Sequence, residues 1–520
     1  MYPKVVKDNK NMKFVIVPRN TGAPTSSKDT AYLFVDSWND YSYITMFYLI
    51  VYDEDGTRHD LGNIKIGFQG QTTSESTYSK LDSEFSAIPN KFFSLGEGVD
   101  FYKNIHEKLS AHIKSELLTK LNDIVFNPSI IDCIQDEDVF STSLLRSVSL
   151  SSINGQLRRV LNGDAVLTPY NFCFIRNESQ YLAPLELNFE VRPNSKPYTN
   201  IHAVIGRNGV GKTTLLNGMI QSVIQQKHGH GYFCENVQFG TKKLIQPDYF
   251  SSIVSVSFSV FDPFTPPAER SDPSKGACYY YIGLKQTATA SPKSLEQLYI
   301  EFYSSLRSCF INNSKKEKWL QAIKTLESDR NFADMGLNVL AEITSDEYLK
   351  RTATHFISKM SSGHAIVILT VTKLIEKIEE KTLLLIDEPE SHLHPPLLSA
   401  FTRALSNLLF KSNAVAIVAT HSPVVLQEVP KTNVSKIVRY GESVSISRPS
   451  IETFAENVGV LTREVFGLEV IKSGFHELLQ SSVDTGDSFE KILNSYNNQL
   501  GVEGQFLLRS MISIRDSKSH

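Results

Sequence analysis

Residues 206–213 read Gly-Arg-Asn-Gly-Val-Gly-Lys-Thr and fit the phosphate-loop pattern G-x-x-x-x-G-K-[ST], the feature that most narrows what this chain can fold into. His202-Ala-Val-Ile205 before the loop is a short apolar run suited to a buried strand, and Thr214 to Val223 after it spaces apolar residues as a helix does. Strand, glycine loop and helix together turn backbone N–H groups and a helix N-terminus toward an anion. Gly206, Asn208, Gly209, Gly211, Lys212, Thr213 and Thr214 are the candidate nucleotide-binding residues. Lys212 is expected to reach the β- and γ-phosphates of ATP, and the Thr213 hydroxyl to ligate Mg²⁺.

Whatever surrounds the loop is large: 520 residues are enough for two to four domains with real cores. The net charge of −3 supplies no global attraction for nucleic acid or an acidic membrane, so any DNA contact has to be local. Cys133, Cys173, Cys234, Cys278 and Cys309 are scattered without metal-ligand spacing, which points to a reduced, cytoplasmic protein. The first ten residues lack the apolar core of a signal peptide, and the longest apolar run, Ile44 to Tyr52, is about half a membrane span. No membrane association is expected.

Three regions follow from the residue patterns. Residues 1–165 open with strand-like segments, Ala31–Val35, Ile44–Tyr52 and Gly62–Phe68, with a hairpin turn at Asp53–Gly56, and continue with helical spacing from Tyr102 to Asn122. These strands either form a small domain of their own or join the nucleotide-binding sheet from outside. Residues 166–430 hold the phosphate loop, a strand at Ile253–Val260 and a helical insertion over about 290–360 without sustained heptads, which argues against a long coiled-coil arm. Residues 431–520 read as a C-terminal interaction region ending in helix-like leucine spacing.

Two further strands end in reactive groups. Lys381-Thr-Leu-Leu-Leu-Ile-Asp387-Glu388-Pro-Glu-Ser-His-Leu-His delivers two adjacent acids at the end of an apolar strand. Asp387 is the candidate Mg²⁺ ligand, and Glu388 the candidate base for an attacking water. Ala414-Val-Ala-Ile-Val-Ala-Thr420-His421 is a second buried strand ending in histidine. Ahead of the acids, Met360-Ser361-Ser362-Gly363-His364 places small residues at a helix start, an anion site in the making. Glu390, His392 and His394 invite a metal reading, but a loop crossing a dimer explains them better. Ser314-Lys-Lys-Glu-Lys318 reads as a solvated helix face more readily than as a nucleic-acid contact.

The ordered set of phosphate loop, Met-Ser-Ser-Gly-His segment, acidic pair and histidine resembles the ABC ATPase superfamily, in the soluble branch that includes RecF, SMC-like and OLD-type proteins. The resemblance implies an α/β fold: an ABC ATPase head, a mixed sheet with a helical signature subdomain, flanked by an N-terminal β/α extension and a C-terminal helical tail. It implies a homo-oligomer, at least a head-to-tail dimer through ATP. In that dimer Ser361, Ser362 and Gly363, at the place of the L-S-G-G-Q signature, cap the γ-phosphate bound by the opposite subunit, and His421 registers that phosphate. Two departures are visible. Ser259-Val-Phe-Asp262 stands where the superfamily usually has a glutamine, and His394 where many members have Asp.

OLD-type relatives append a TOPRIM nuclease after the histidine strand. Here Val502-Glu503-Gly504 mimics its first element, with too little chain following to supply the rest, so no nuclease site is expected in this chain. The whole layout, with Phe92–Gly96, Tyr102 and Ser143-Leu-Leu-Arg146, looks like the ATPase subunit of Septu-type antiphage systems, the PtuA family. That resemblance implies a defence complex that senses infection and controls a separate HNH nuclease of the PtuB kind, and in retron versions a reverse transcriptase with its RNA–DNA product. A RecF- or SMC-like repair or clamp ATPase is the alternative.

Overall fold

The computed structural model describes residues 12–19, 21–36, 43–146, 148, 150–163, 167, 169–178, 183–207, 209–224, 231–236, 241–247, 249–259, 264–272, 276–287, 289, 291–440, 443–466 and 474–518. Asn208 and the stretch 260–263 at the expected glutamine position lie outside the described residues.

The N-terminal strands keep to themselves. β1 (Lys13–Val17), β2 (Thr30–Val35), β3 (Met46–Tyr52), β4 (Arg58–Phe68), β5 (Glu84–Phe85) and β6 (Phe92–Gly96) form a six-stranded sheet in the order β5-β1-β2-β3-β4-β6. The Asp53–Gly56 turn joins β3 and β4 as an antiparallel pair. Helices α1 (Val99–Lys108) and α2 (Ala111–Lys120) bury Phe101, Tyr102, Ile105 and Leu117 in a core shared with this sheet. Of the two arrangements the sequence allowed, this is the separate one.

Gly96 and Tyr102 turn out to be parts of one joint. A Cβ on Gly96 would lie 2.0 Å from the Phe101 ring, so only glycine admits that ring. The Tyr102 hydroxyl accepts from Gly96 N–H at 2.9 Å and donates to Asp123 at 2.8 Å. Burial pushes the Asp123 carboxyl up to about 6 in spite of that bond and two from backbone N–H groups.

The rest of the chain is built on two further sheets. β7 (Tyr170–Arg176), β8 (Leu185–Val191), β10 (Tyr232–Asn236) and β11 (Lys242–Leu244) form an antiparallel sheet in the order β11-β10-β7-β8. β9 (Ile201–Gly206), β12 (Ser252–Ser257), β13 (Cys278–Gly283), β14 (Thr382–Asp387), β15 (Val415–Thr420), β16 (Val434–Tyr440) and β17 (Ser443–Ser447) form the seven-stranded sheet, order β13-β12-β14-β15-β9-β16-β17. All neighbours in it are parallel except β16 and β17. Its central strands are buried almost end to end because both faces are covered, with helix α3 (Lys212–Ile224) and the four-stranded sheet contributing to one core.

A boundary at 430 cuts through this sheet. β16 pairs in parallel with β9, and its β-branched and aromatic residues are strand formers, so the chain stays in the seven-stranded sheet to Ser447. Only then do α10 (Val458–Phe466), α11 (Phe475–Asp484), α12 (Phe489–Ser495) and α13 (Val502–Lys518) make the helical tail.

Between β13 and β14 lie α4 (Leu295–Ile311), α5 (Asn313–Leu326), α6 (Arg330–Met335), α7 (Asp346–Lys359) and α8 (Ser362–Lys377). Their apolar faces share the second large core with β12 and β14. Trp319, next to the basic run, is fully buried and donates to Thr372, and the run itself is largely half-buried and not the solvated face expected of it: Lys315 donates to the Glu376 carbonyl at 2.8 Å and Lys318 to Ser412 Oγ at 3.3 Å. The N-terminal domain docks just before β14: Arg159 pairs with Glu380 at 2.6 Å, and Ser152 donates to Glu379 at 3.0 Å.

Candidate functional site

Gly206, Ser257, Asp387 and Thr420 are the last residues of four parallel strands, so they stand along one edge of the sheet, where α/β folds place ligands. The strand order β14-β15-β9 fixes which groups meet. β15, ending at Thr420, lies between the strand of the acids and the strand of the phosphate loop, so His421 falls between Glu388 and Lys212.

The loop itself needs its glycines. A Cβ on Gly206 would meet the Ile437 carbonyl oxygen at 2.5 Å, and Gly209 and Gly211 sit at φ 79° and 91°, where side chains are strained. Lys212 opens α3 and folds back over the loop. Its ammonium donates to the carbonyls of Gly206 at 3.1 Å and Arg207 at 3.4 Å, and to His421 Nε2 at 2.6 Å. Burial lowers the Lys212 pKa against the pull of Glu388, Asp387 and Glu390. Burial, then the Lys212 charge, also holds His421 below its ordinary value, so its ring is neutral at neutral pH and Nε2 is the acceptor.

The acids follow at the end of β14. Glu388 has left-handed backbone angles, φ 45° and ψ 60°, a strained conformation for a residue with a side chain, and its N–H is fixed to the Ala419 carbonyl at 2.9 Å. Its carboxylate stands 3.6 Å from His421 Nε2. Asp387 and Thr213 line one small cavity with Ser255 and Ser257. Ser257 Oγ is buried there without a hydrogen-bond partner, and Ser257 is in register with Asp387. Four oxygen-bearing side chains around one cavity, with Ser257 unsatisfied, fit a hard cation such as Mg²⁺.

Glu390 has a different task from the metal ligation considered for it. Both its oxygens accept the Thr420 hydroxyl at 2.9 Å, and one accepts His421 N–H at 2.5 Å, so it pins the histidine to the acid loop. Burial pushes this carboxyl up. His392 donates to the Phe258 carbonyl at 2.9 Å, and His394 pairs with Asp329 at 3.1 Å. The three candidate ligands face three different partners.

Ser361, Ser362 and Gly363 start α8, with both serines exposed and Gly363 buried. A Cβ on Gly363 would lie 2.7 Å from the His392 carbonyl oxygen, so the helix start is seated on the loop that follows the acids. Ser361 Oγ meets His364 Nδ1 at 2.6 Å. His364, at the glutamine position of the signature pattern, is buried and turned toward Asp329 at 3.2 Å.

The structure thus brings Lys212, His421 and Glu388 into contact range and puts Thr213 and Asp387 on one cavity. A protein related over its whole length is ea59 of Escherichia phage lambda, 50% identical over 521 residues that cover 97% of this chain and 99% of that protein. The chain belongs to the ea59 family.

Within this ea59-family chain, residues 357–427 match the family described as "AAA domain, putative AbiEii toxin, Type IV TA system". That span holds the signature segment, the acids and His421. The phosphate loop lies outside that span and supplies the strand, glycine loop and helix of a P-loop nucleotide site. Solved structures with some likeness include cbiO1 of Clostridium perfringens, part of the ABC transporter complex cbiONQ, at 16% identity and a TM-score of 0.29, covering 59% of this chain and 94% of that one. UvrA2 of Deinococcus radiodurans is 15% identical with a TM-score of 0.31, covering 59% and 42%. Among the described residues no helix is long and apolar enough to cross a membrane.

Sequence reasoning passed over Ser257 and Asp329. Ser257 ends a strand in an unremarkable run, and Asp329 lies between two helices far from any motif, so neither carried a local signal. Glu390 was visible in the Asp-Glu-Pro-Glu run, but its partner Thr420 was not.

Proposed function

We propose that this chain binds and hydrolyses ATP as a two-state switch, two copies sandwiching nucleotide between the phosphate loop of one and the signature segment of the other. The contact of Lys212 with His421, and of His421 with Glu388, is the observation that carries this reading. Loop N–H groups and the α3 N-terminus hold the phosphates, and Lys212 turns from the Gly206 and Arg207 carbonyls to the β- and γ-phosphates. Thr213 and Asp387 would hold Mg²⁺, whose charge would offset that of the phosphates. Glu388 takes the proton of the attacking water, and His421, pinned by Glu390, lies beside the γ-phosphate. Ser361, Ser362 and Gly363 close the site from the second copy.

The finer reading is an ATPase subunit of an antiphage complex that controls a separate HNH nuclease. Its support is the PtuA-like layout, including the Gly96–Tyr102 joint, together with a relative carried by a phage, which fits a protein at work in infection. ATP acts on a partner when the partner prefers the open or the closed dimer. The test is reconstitution with the neighbouring open reading frames. The chain alone should cleave no DNA with any nucleotide, and the complex should cleave at an ATP-dependent rate; robust Mg²⁺-dependent cleavage by the chain alone would overturn the assignment.

A further inference from the structure

Asp329 occupies the junction between α5 and α6, and its side chain is almost fully buried. One oxygen, Oδ1, accepts the N–H groups of Asn331 at 3.0 Å and Phe332 at 3.3 Å, capping α6, and meets His364 Nε2 at 3.2 Å. The other, Oδ2, meets His394 Nε2 at 3.1 Å. The two imidazoles lie 6.0 Å apart across this carboxylate. Burial alone would raise the Asp329 pKa, but the His364 bond, the Phe332 N–H and the charges of both histidines outweigh it and hold the group below the ordinary carboxylate range. It is a permanent anion with two histidine arms.

The arms lead to opposite halves of the composite site. His364 is bonded at its other nitrogen to Ser361, the first serine of the signature segment. His394 is the residue before α9 (Pro395–Ser412) and closes the short loop that begins at Glu388. A third contact runs alongside, Gly363 against the His392 carbonyl. A loop with a strained Glu388 at one end and the His394–Asp329 contact at the other has few ways to move unless its anchor moves with it.

We propose that Asp329 is a positioning residue that couples the two half-sites, holding Ser361 through His364 and the Glu388 loop through His394, so that the base and the signature segment of one copy move as a unit. The inference rests on the paired-site reading above. It makes His394 the separable arm, because its ring is half exposed and caps no backbone group of α9.

The experiment compares His394→Ala, His394→Gln and Asp329→Asn by steady-state ATPase kinetics, thermal melting and ATP-dependent dimerisation, with Glu388→Gln as reference. His394→Ala should lose about tenfold in kcat while KM and the melting temperature hold. His394→Gln keeps an N–H donor for Asp329 and should stay within about twofold of wild type. Adding His394→Ala to Asp329→Asn should cost nothing more, since both cut the same link. If His394→Ala turns over ATP normally while Glu388→Gln is inactive, the coupling is overturned and the ATPase reading stands. Wild-type protein that hydrolyses no ATP would overturn both, and a His394→Gln variant as slow as His394→Ala would remove the link to Asp329.

Discussion

Gly363→Ala is the sharpest probe of how the signature helix sits on the acid loop. The added methyl would lie 2.7 Å from the His392 carbonyl oxygen, a separation that real Cβ contacts do not adopt. The obstacle is backbone, so no rotamer change relieves it, and helix or loop must retreat by roughly half an ångström. Overpacking of this kind costs about 1–3 kcal/mol, which a chain of this size survives. The loop that has to retreat starts at Glu388, and a displacement near 1 Å at a catalytic group costs roughly a hundredfold, so about a tenfold loss in kcat is expected. ATP affinity, set by the phosphate loop, should hold. Gly504→Ala, at a buried position of the tail helix where the added methyl would find its nearest neighbour at 3.7 Å, an ordinary contact, is the control and should leave turnover unchanged. Calorimetric ATP binding with steady-state kinetics separates the terms. A Gly363→Ala protein with wild-type kcat would refute the seating of the helix on the loop as the device that places Glu388.

Ser361→Arg puts a bulky cation at an exposed helix start; monomeric ATP binding should survive and the nucleotide-dependent dimer should vanish, and an unchanged dimer in light scattering would count against the paired site. Asp123 titrates near 6 in the fold and at 3.8 unfolded, so its contribution is present at low pH and is lost as pH rises through about 6. Wild type should lose on the order of 3 kcal/mol between about pH 4 and pH 7 relative to Asp123→Asn, read from urea unfolding, and parallel pH curves for the two proteins would contradict the assignment.

Much of the site was legible because its parts are local. A glycine loop between strand and helix, and acids at the end of an apolar strand, state their geometry within a dozen residues. What the sequence withheld was order: that β15 lies between β14 and β9 is a property of the sheet, and it is what brings His421 to Lys212. Asp329 was invisible for the same reason, since its partners come from α8 and from the loop before α9. The boundary at 430 failed because β16 follows the histidine strand after only a short connection, and nothing in Val434–Tyr440 says which sheet it joins. The separate N-terminal domain was left open because strand patterns fix a strand's faces and not its neighbours.

The central claim is that Glu388 activates water for ATP hydrolysis beside Lys212 and His421. Glu388→Gln keeps the shape of the side chain and removes the basic carboxylate, and its turnover under saturating ATP and Mg²⁺, measured with its ATP affinity, tests the claim most directly. Turnover should fall by roughly a hundredfold or more while ATP binding survives. Near-normal turnover in that variant would contradict the account.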